Sequence, residues 1–276
     1  MKDKINNLAI IGGDNDLPLH AYKSVKKKYK NFIYINISKK NKPLLKLFKN
    51  VYNLEIYELE KCIKILNNNN ISQLCFLGSV NRPNLSSLKI DNKLAKYIHD
   101  LIASSKIGDG NILSSIITIF SKEGFLTKSF IDIFPGEYLL DIESSDLTNI
   151  DKNDISKGVS ILNSISQYDN AQSCIVSNGY LLAIEAAEGT DKMISRIRSI
   201  KKKISRDLIE GCLIKIPKEK QNLKIDLPTV GVKTLDMMYK NKLNVLALRK
   251  DLTIVVEKNK FYRSLKKYNI SLTFIN

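Results

Sequence analysis

The N-terminal stretch Leu8-Ala9-Ile10-Ile11-Gly12-Gly13-Asp14-Asn15-Asp16-Leu17-Pro18 decides the fold class. Four apolar residues precede two glycines, and Asp16 and Pro18 then suit the cap and the first turn of a helix. This order predicts a buried strand, a tight turn and a helix, which is the opening unit of a parallel α/β sheet. Glycines in such a turn let the backbone approach a phosphate, but the run is not G-x-G-x-x-G. A turn without a ligand is the alternative interpretation.

The first half of the chain continues this alternation. Further apolar strands are predicted at residues 32–37 and 73–77, and helices at residues 17–29, 58–67, 93–104 and 112–122. Strands that alternate with helices favour a parallel sheet, which binds ligands beyond the carboxyl ends of its strands. Gly12, Gly13 and Gly78 fall at those ends.

The second half has a different pattern. The stretch 134–154 interrupts the alternation with Pro135-Gly136 and a polar run, and Asn178-Gly179 between two apolar runs predicts a β-hairpin. The prediction is therefore an α/β protein with an N-terminal Rossmann-like parallel-sheet domain, residues 1–135, and a C-terminal mixed α/β domain, residues 136–276.

Composition limits the function classes. The chain has 44 Lys and Arg against 28 Asp and Glu, a formal net charge of +16, which reflects either coding bias or attraction to anions. The basic residues are scattered apart from Lys26–Lys28 and Lys201–Lys203, which argues against a nucleic-acid-binding protein. Two histidines and four cysteines without a C-x-x-C pair argue against a His-based metal site or a disulfide framework. Without a signal peptide or a long apolar span, the expected location is the cytoplasm.

Two segments could bind anionic groups. Asn81 and Arg82 follow the third clear strand, and an arginine fork matches a phosphate, although a surface arginine in an ordinary turn is the alternative. Glu188-Gly189-Thr190-Asp191 leads into a helix, where free backbone N–H groups could hold a sugar phosphate or could simply be capped.

Glu185 and Asp226 are the carboxylates that suggest chemistry. Glu185 ends an apolar strand and should need a cation, a metal or backbone N–H groups as partner, since a buried unpaired charge is costly. Asp226 stands among lysines, including Lys215 and Lys218, in a loop that continues to Thr229. Such a carboxylate can hold Mg²⁺ or orient a water while lysines neutralise phosphate charge. A solvated basic loop is the alternative.

Taken in order, these segments resemble the LpxI-type UDP-2,3-diacylglucosamine pyrophosphatases of bacterial lipid A biosynthesis. The runs that carry the resemblance are residues 11–18, 76–83, 108–113, 172–196 and 215–234; the most specific stretches are Gly179–Asp191 and then Asp226–Gly231. The chain departs from the family pattern at Asp14, Gly110, Glu219 and Lys224.

The resemblance implies two α/β domains with the active site between them. It implies Mg²⁺-dependent hydrolysis of UDP-2,3-diacylglucosamine to 2,3-diacylglucosamine 1-phosphate and UMP, with Asp226 as the essential aspartate. We accordingly predict Asp226, Lys215 and Lys218 as catalytic residues and Asp226 and Glu185 as Mg²⁺ ligands. The residues predicted to bind the substrate are Gly12, Gly13, Asn81, Arg82, Glu188, Gly189, Thr190, Asp191 and Thr229.

The predicted partners are a glycolipid UDP-sugar substrate and the cytoplasmic face of the inner membrane, without nucleic acid; homo-oligomerisation is left open. Two other function classes remain as alternatives. One is a nucleotide-cofactor oxidoreductase of the Rossmann type, suggested by the first strand–turn–helix unit. The other is a basic, non-enzymatic nucleic-acid-binding protein, suggested by the net charge.

Overall fold

The computed structural model describes residues 7–43, 49–80, 91–107, 109–204, 210–219 and 222–275. It divides into two compact units. The first ends at Ile133 and also includes Lys224–Asp226, and the second consists of Phe134–Leu223 and Leu227–Asn276. The predicted fold class is confirmed, because the first unit has a parallel sheet and the second a mixed sheet.

The first unit is a five-stranded parallel sheet with helices between its strands. Its strands are β1 (Leu8–Gly12), β2 (Phe32–Asn36), β3 (Val51–Asn53), β4 (Gln73–Leu77) and β5 (Leu126–Thr127). Its helices are α1 (Leu17–Lys28), α2 (Leu59–Asn68), α3 (Asn92–Ala95), α4 (Ile98–Ile107), α5 (Asp109–Lys122) and α6 (Phe130–Ile133). The strand order is β3-β2-β1-β4-β5, the order of a Rossmann domain.

The strands β1 and β2 are buried along their whole length, which explains their continuous apolar sequences. In the register, Gly12 at the end of β1 lies beside Asn36 of β2 and Leu77 of β4. The chain order reverses between β1 and β4, and this is the place where open α/β sheets bind ligands.

The second unit is a mixed sheet of five strands with an additional strand pair. Its strands are β6 (Ser173–Ser177), β7 (Tyr180–Ile184), β8 (Cys212–Lys215), β9 (Thr229–Val230), β10 (Val245–Leu248), β11 (Ile254–Val255) and β12 (Ser271–Phe274). Its helices are α7 (Pro135–Tyr138), α8 (Asn149–Ser166), α9 (Thr190–Ile204), α10 (Val232–Lys240) and α11 (Lys258–Tyr268). The large sheet has the order β12-β10-β8-β6-β7, while β9 pairs with β11. The hairpin predicted at Asn178-Gly179 is confirmed, since β6 and β7 are antiparallel.

Helices cover the two faces of this sheet unequally. Buried residues of α9, α10 and α11 pack with Ile175, Leu213 and Leu246 on one face. On the other face, Leu162 of α8 packs with Cys174 and Ile214. Because side chains alternate along β6 and β8, successive residues of these strands pack into the cores on opposite faces of the sheet.

Gly158 sets the distance between α8 and the sheet. A Cβ atom added there would lie 2.8 Å from Ile214 Cδ1 and 3.1 Å from Cys174 Sγ. We expect Gly158→Val to lower the free energy of unfolding by about 1–3 kcal/mol, because overpacking forces the helix off the sheet. Chemical denaturation measures this effect. The matched control is Gly136→Val, where a Cβ atom meets nothing within 4 Å; equal losses at the two positions would contradict the packing argument.

The four cysteines are buried and free. Burial raises the pKa of the Cys62 and Cys174 thiols to about 12, so neither is a thiolate at neutral pH. Their burial suits a role as small apolar residues in the two cores. Among the described residues, no helix is long and apolar enough to cross a membrane.

Candidate active site

The candidate site is a hydrogen-bonded group at the carboxyl end of β8. Lys215 is the last residue of that strand, and it is only 6% exposed. Side chains alternate along β8, so Lys215 shares the face of Leu213, which is the face covered by α9–α11. The register places Ser173 of β6 directly beside Lys215. The site therefore contains a buried ammonium group, that of Lys215, beside a buried hydroxyl, that of Ser173.

The Lys215 ammonium group donates hydrogen bonds to oxygen atoms of two other segments. Its Nζ atom donates to Thr190 Oγ1 at 3.0 Å and to the carbonyl oxygen of Thr229 at 3.1 Å. Thr190 is the first residue of α9, and Thr229 is the first residue of β9. Three segments that are distant in the sequence therefore meet at one positive charge.

Glu185 completes this group. Its Oε2 atom accepts hydrogen bonds from Ser173 Oγ at 2.6 Å and from Thr190 Oγ1 at 3.1 Å. Its backbone N–H donates to the carbonyl oxygen of Ser173 at 2.9 Å, which fixes the end of the hairpin. The expectation that Glu185 needs a cation, a metal or an N–H partner was incomplete. The partners seen are two hydroxyls, and the Lys215 ammonium contacts one of them.

Other predicted residues of this region form ion pairs at its edge. Glu188 pairs with Arg196 at 2.9 Å, and Asp191 pairs with Lys233 at 2.6 Å. Gly189 has a φ of 81°, which a glycine adopts without strain as the chain turns into α9. The segment 188–191 is therefore ordered by two surface ion pairs.

Lys218 is held elsewhere. Its Nζ atom lies 2.7 Å from Asp169 Oδ1 and 3.1 Å from the Asp169 carbonyl oxygen. Asp169 follows α8 in the chain and was not predicted to belong to the site. The structure thus places Lys215 with Glu185, Thr190 and Thr229, while the contacts described for Lys218 are with Asp169.

Asp226 is half-buried in the loop that precedes β9. It is the last residue of the short segment that groups with the first unit, and Thr229 comes three residues later. The carbonyl oxygen of Leu227 accepts a hydrogen bond from Thr229 Oγ1 at 3.2 Å, which shapes the intervening turn. The loop of Asp226 thus runs directly into the residue whose carbonyl holds Lys215.

In the turn that follows β1, the backbone N–H groups of Gly13 and Asp14 are already used in hydrogen bonds within the chain. The N–H groups of Gly13 and Asp14 donate to the carbonyl oxygens of Leu77 and Ser79 at 2.8 and 2.7 Å. A Cβ atom at Gly13 would lie 2.3 Å from the Ser79 carbonyl oxygen, so the glycine is needed for the two loops to approach.

The backbone N–H groups at the start of α1 also have acceptors within the chain. The N–H of Leu17 donates to Asn15 Oδ1, Pro18 has no N–H, and Leu19 and His20 donate to the Asp16 carbonyl oxygen. Asp16 occupies the cap position, but its side chain makes no capping hydrogen bond, and the expectation that it caps α1 was wrong on this point. A phosphate held by these N–H groups, as in dinucleotide-binding domains, finds no support here. Substrate contact at Gly12 and Gly13 stays a prediction, and Asn81 and Arg82 lie outside the described residues.

A separate cavity of about 570 Å³ lies in the second unit. It is lined by residues 144–147, by the first half of α8 and by residues 273–275, and it contains none of the predicted site residues. The candidate active site is nevertheless the group around Lys215, because there buried polar atoms of several segments converge on one charge.

Ser173 and Asp169 are the residues of this region that the sequence did not indicate. Ser173 is 0% exposed and begins a strand whose three central residues are apolar. A buried polar residue at that position was a weak signal, because its partner Glu185 is identified only once the hairpin register is known.

Known proteins are similar to this chain over both units. Two family models match it, the LpxI N-terminal domain over residues 7–136 and the LpxI C-terminal domain over residues 141–273. The UDP-2,3-diacylglucosamine pyrophosphatase LpxI of Caulobacter vibrioides is 29% identical over 238 residues, which are 84% of this chain and 84% of that protein.

Proposed function

The chain belongs to the LpxI family, and on that premise we propose that it hydrolyses the diphosphate bond of UDP-2,3-diacylglucosamine in lipid A biosynthesis. The products are UMP and 2,3-diacylglucosamine 1-phosphate, and the enzyme works in the cytoplasm. The observation that carries this proposal is the buried Lys215 ammonium group, which is held by Thr190 and Thr229 at the carboxyl end of β8.

Lys215 suits the stabilisation of a phosphoryl group. Its two oxygen partners fix the position of its charge before the substrate arrives, so little reorganisation is needed during the reaction. We propose that this fixed positive charge stabilises a phosphoryl oxygen of the diphosphate.

Glu185 and Ser173 support this arrangement indirectly. The Thr190 hydroxyl donates its proton to Glu185. Its oxygen lone pairs then accept the hydrogen bond from Lys215 Nζ. Ser173 donates to the same Glu185 oxygen and fixes its rotamer. The Glu185 carboxylate therefore orients Thr190, which in turn orients Lys215. Glu185 and Ser173 both act as positioning residues.

Asp226 is the proposed residue that acts on water. A carboxylate accepts a hydrogen bond from a water molecule and raises its nucleophilic character as the proton is drawn away. The water oxygen forms a bond to the sugar-side phosphorus, and the bond from that phosphorus to the bridging oxygen breaks. The bridging oxygen leaves with UMP. Lys218 completes the catalytic residues that we propose.

Magnesium is the proposed cofactor. The described residues contain no group of three or more His, Cys, Asp and Glu side chains that could hold a metal. Mg²⁺ binds through one or two carboxylates with waters and substrate phosphates, and Asp226 and Glu185 are the carboxylates that we propose as its ligands. When bound, the ion neutralises charge on the phosphoryl oxygens.

The test is hydrolysis of UDP-2,3-diacylglucosamine in ¹⁸O-labelled water, with and without added Mg²⁺. We expect mass spectrometry to find UMP and 2,3-diacylglucosamine 1-phosphate, with the label on the sugar phosphate and turnover that requires the ion. An unchanged substrate would refute the proposed activity. Label in UMP would refute the attack on the sugar-side phosphorus, and full turnover in a chelator would refute the role of Mg²⁺.

A further inference from the structure

The positive charge of the second unit is concentrated on one of its two helix layers. The helices α9, α10 and α11 contain thirteen Lys and Arg residues and only two acidic residues, Asp191 and Asp236. The helix α8, on the opposite face of the sheet, contains two Lys and two Asp residues. A coding bias toward lysine would act on both layers alike, so it does not account for this difference.

The basic ends of α10 and α11 are turned to solvent. Lys240, Lys266 and Lys267 are exposed and occupy the last turns of these helices. In the described part of the chain, no ion pair is formed by these three ammonium groups, whereas the layer's two acidic side chains are already engaged: Asp191 pairs with Lys233, and Asp236 accepts from Tyr268. The local charge is thus available to an external anion.

Two tyrosines stand beside these lysines. The rings of Tyr239 and Tyr268 are stacked with centroids 4.6 Å apart and an interplanar angle of 21°, and Tyr239 is 57% exposed. The ammonium of Lys267 lies 5.2 Å from the Tyr268 centroid. Exposed tyrosines next to lysines are typical of surfaces that lie in the headgroup region of a bilayer.

We propose that the layer of α9, α10 and α11 is the surface with which this protein contacts an acidic phospholipid membrane, with Tyr239, Tyr268 and the lysines that end α10 and α11 in the headgroup region. The choice of a lipid surface rests on the proposed function, because a substrate with two acyl chains has to be taken from a bilayer. Anionic headgroups complement the charge of the layer.

Nucleic acid is the other polyanion that this charge could attract. Binding of single strands uses aromatic faces as platforms for the bases. Here the two tyrosines cover each other, and the ammonium of Lys267 lies over the Tyr268 ring. The exposed part of Tyr239 that remains suits headgroups better than bases.

The experiment is flotation of the full chain with phospholipid vesicles. We expect binding to vesicles of phosphatidylcholine mixed with phosphatidylglycerol, no binding to phosphatidylcholine alone, and release as salt screens the charges. Equal binding to both vesicle types would overturn the proposal. So would displacement by single-stranded DNA with an affinity above that for the acidic vesicles.

A matched pair of variants locates the surface. Lys266→Gln with Lys267→Gln removes two exposed charges from the last turn of α11, and Lys26→Gln with Lys27→Gln removes two from the last turn of α1. A lysine near an acidic bilayer contributes about 5-fold to binding, so the first pair is expected to weaken it about 30-fold. The second pair is expected to leave it unchanged. Equal effects of the two pairs would overturn the assignment to this layer.

Activity on detergent-dispersed substrate separates this proposal from the proposed function. Neither pair of variants includes a proposed catalytic or substrate-binding residue, so both should hydrolyse dispersed substrate like the unmodified protein. If the unmodified protein floats as expected but hydrolyses nothing, the membrane surface stands and the proposed function fails. If it hydrolyses dispersed substrate but does not float with acidic vesicles, the proposed function stands and the membrane surface fails.

Discussion

Asp226→Ala is expected to lower the turnover number by about 100-fold to 10,000-fold, the range attributed to a positioned general base, while the protein stays folded. The carboxylate is half-buried in a loop and belongs to none of the core clusters described. Its loss therefore removes the group that draws the proton from water and leaves the apolar packing intact. Steady-state hydrolysis together with circular dichroism measures both effects.

A second substitution separates the effect of the Asp226 charge from the effect of its side-chain volume. Asp226→Asn keeps the size of the side chain and removes its charge, so it should be nearly as inactive as the alanine variant. The control is Asp251→Ala, an exposed carboxylate in the short 3₁₀ turn Lys250–Leu252, which should keep full turnover. Activity of the Asp226→Asn variant close to that of the unmodified protein would remove Asp226 from the mechanism.

Lys215→Met is expected to reduce both activity and stability. Methionine fills most of the buried volume but leaves the Thr229 carbonyl oxygen without its donor, which should lower the free energy of unfolding by about 1–3 kcal/mol. The loss of a positioned cation at the phosphoryl group should lower kcat by about 100-fold to 1,000-fold. Urea denaturation and single-turnover hydrolysis measure the two quantities.

The matched control for this variant is Lys152→Met. Lys152 is an exposed lysine of α8 in the same unit, so its replacement removes one charge without a buried hydrogen bond. We expect neither stability nor kcat to change by much at this position. A Lys215→Met variant that loses stability but keeps kcat would show that Lys215 is architectural only.

The first unit shows how far the sequence reaches in predicting a fold. The strands β1, β2 and β4 are mostly apolar, and β1 and β2 are buried along their whole length; the prediction found all three within one residue because burial on both faces leaves a nearly continuous apolar signal. The strands β3 and β5, with three and two residues, were missed. Such short strands at the edges of a sheet form through pairing with β2 and β4, not through their own propensity.

The helix boundaries show a similar limit. The helix predicted at residues 93–104 is divided into α3 and α4, and the stretch 134–154, predicted only to interrupt the alternation, contains the start of α8 at Asn149. Thr148 and Asp151 form a capping box at that start, a local signal that the sequence contained and that the prediction overlooked.

The candidate site was only partly accessible from the sequence. The need of Glu185 for polar partners could be predicted because a carboxylate at the end of an apolar strand has to be compensated. The identity of those partners could not, since Ser173 meets Glu185 through the hairpin and Thr190 meets it through the turn into α9. Lys215 and Lys218 look equivalent in the sequence, yet Lys215 contacts this group, while the contacts described for Lys218 are with Asp169.

The sequence by itself determined the alternating architecture, the hairpin and the residue types available for phosphate chemistry, because these follow from local patterns of apolar residues, glycines and charges. The tertiary structure alone decided which of those residues meet at Lys215 and which helix layer of the second unit carries its positive charge. The physical reason is that a side chain's neighbours across a sheet depend on strand order and register, which join segments far apart in the chain.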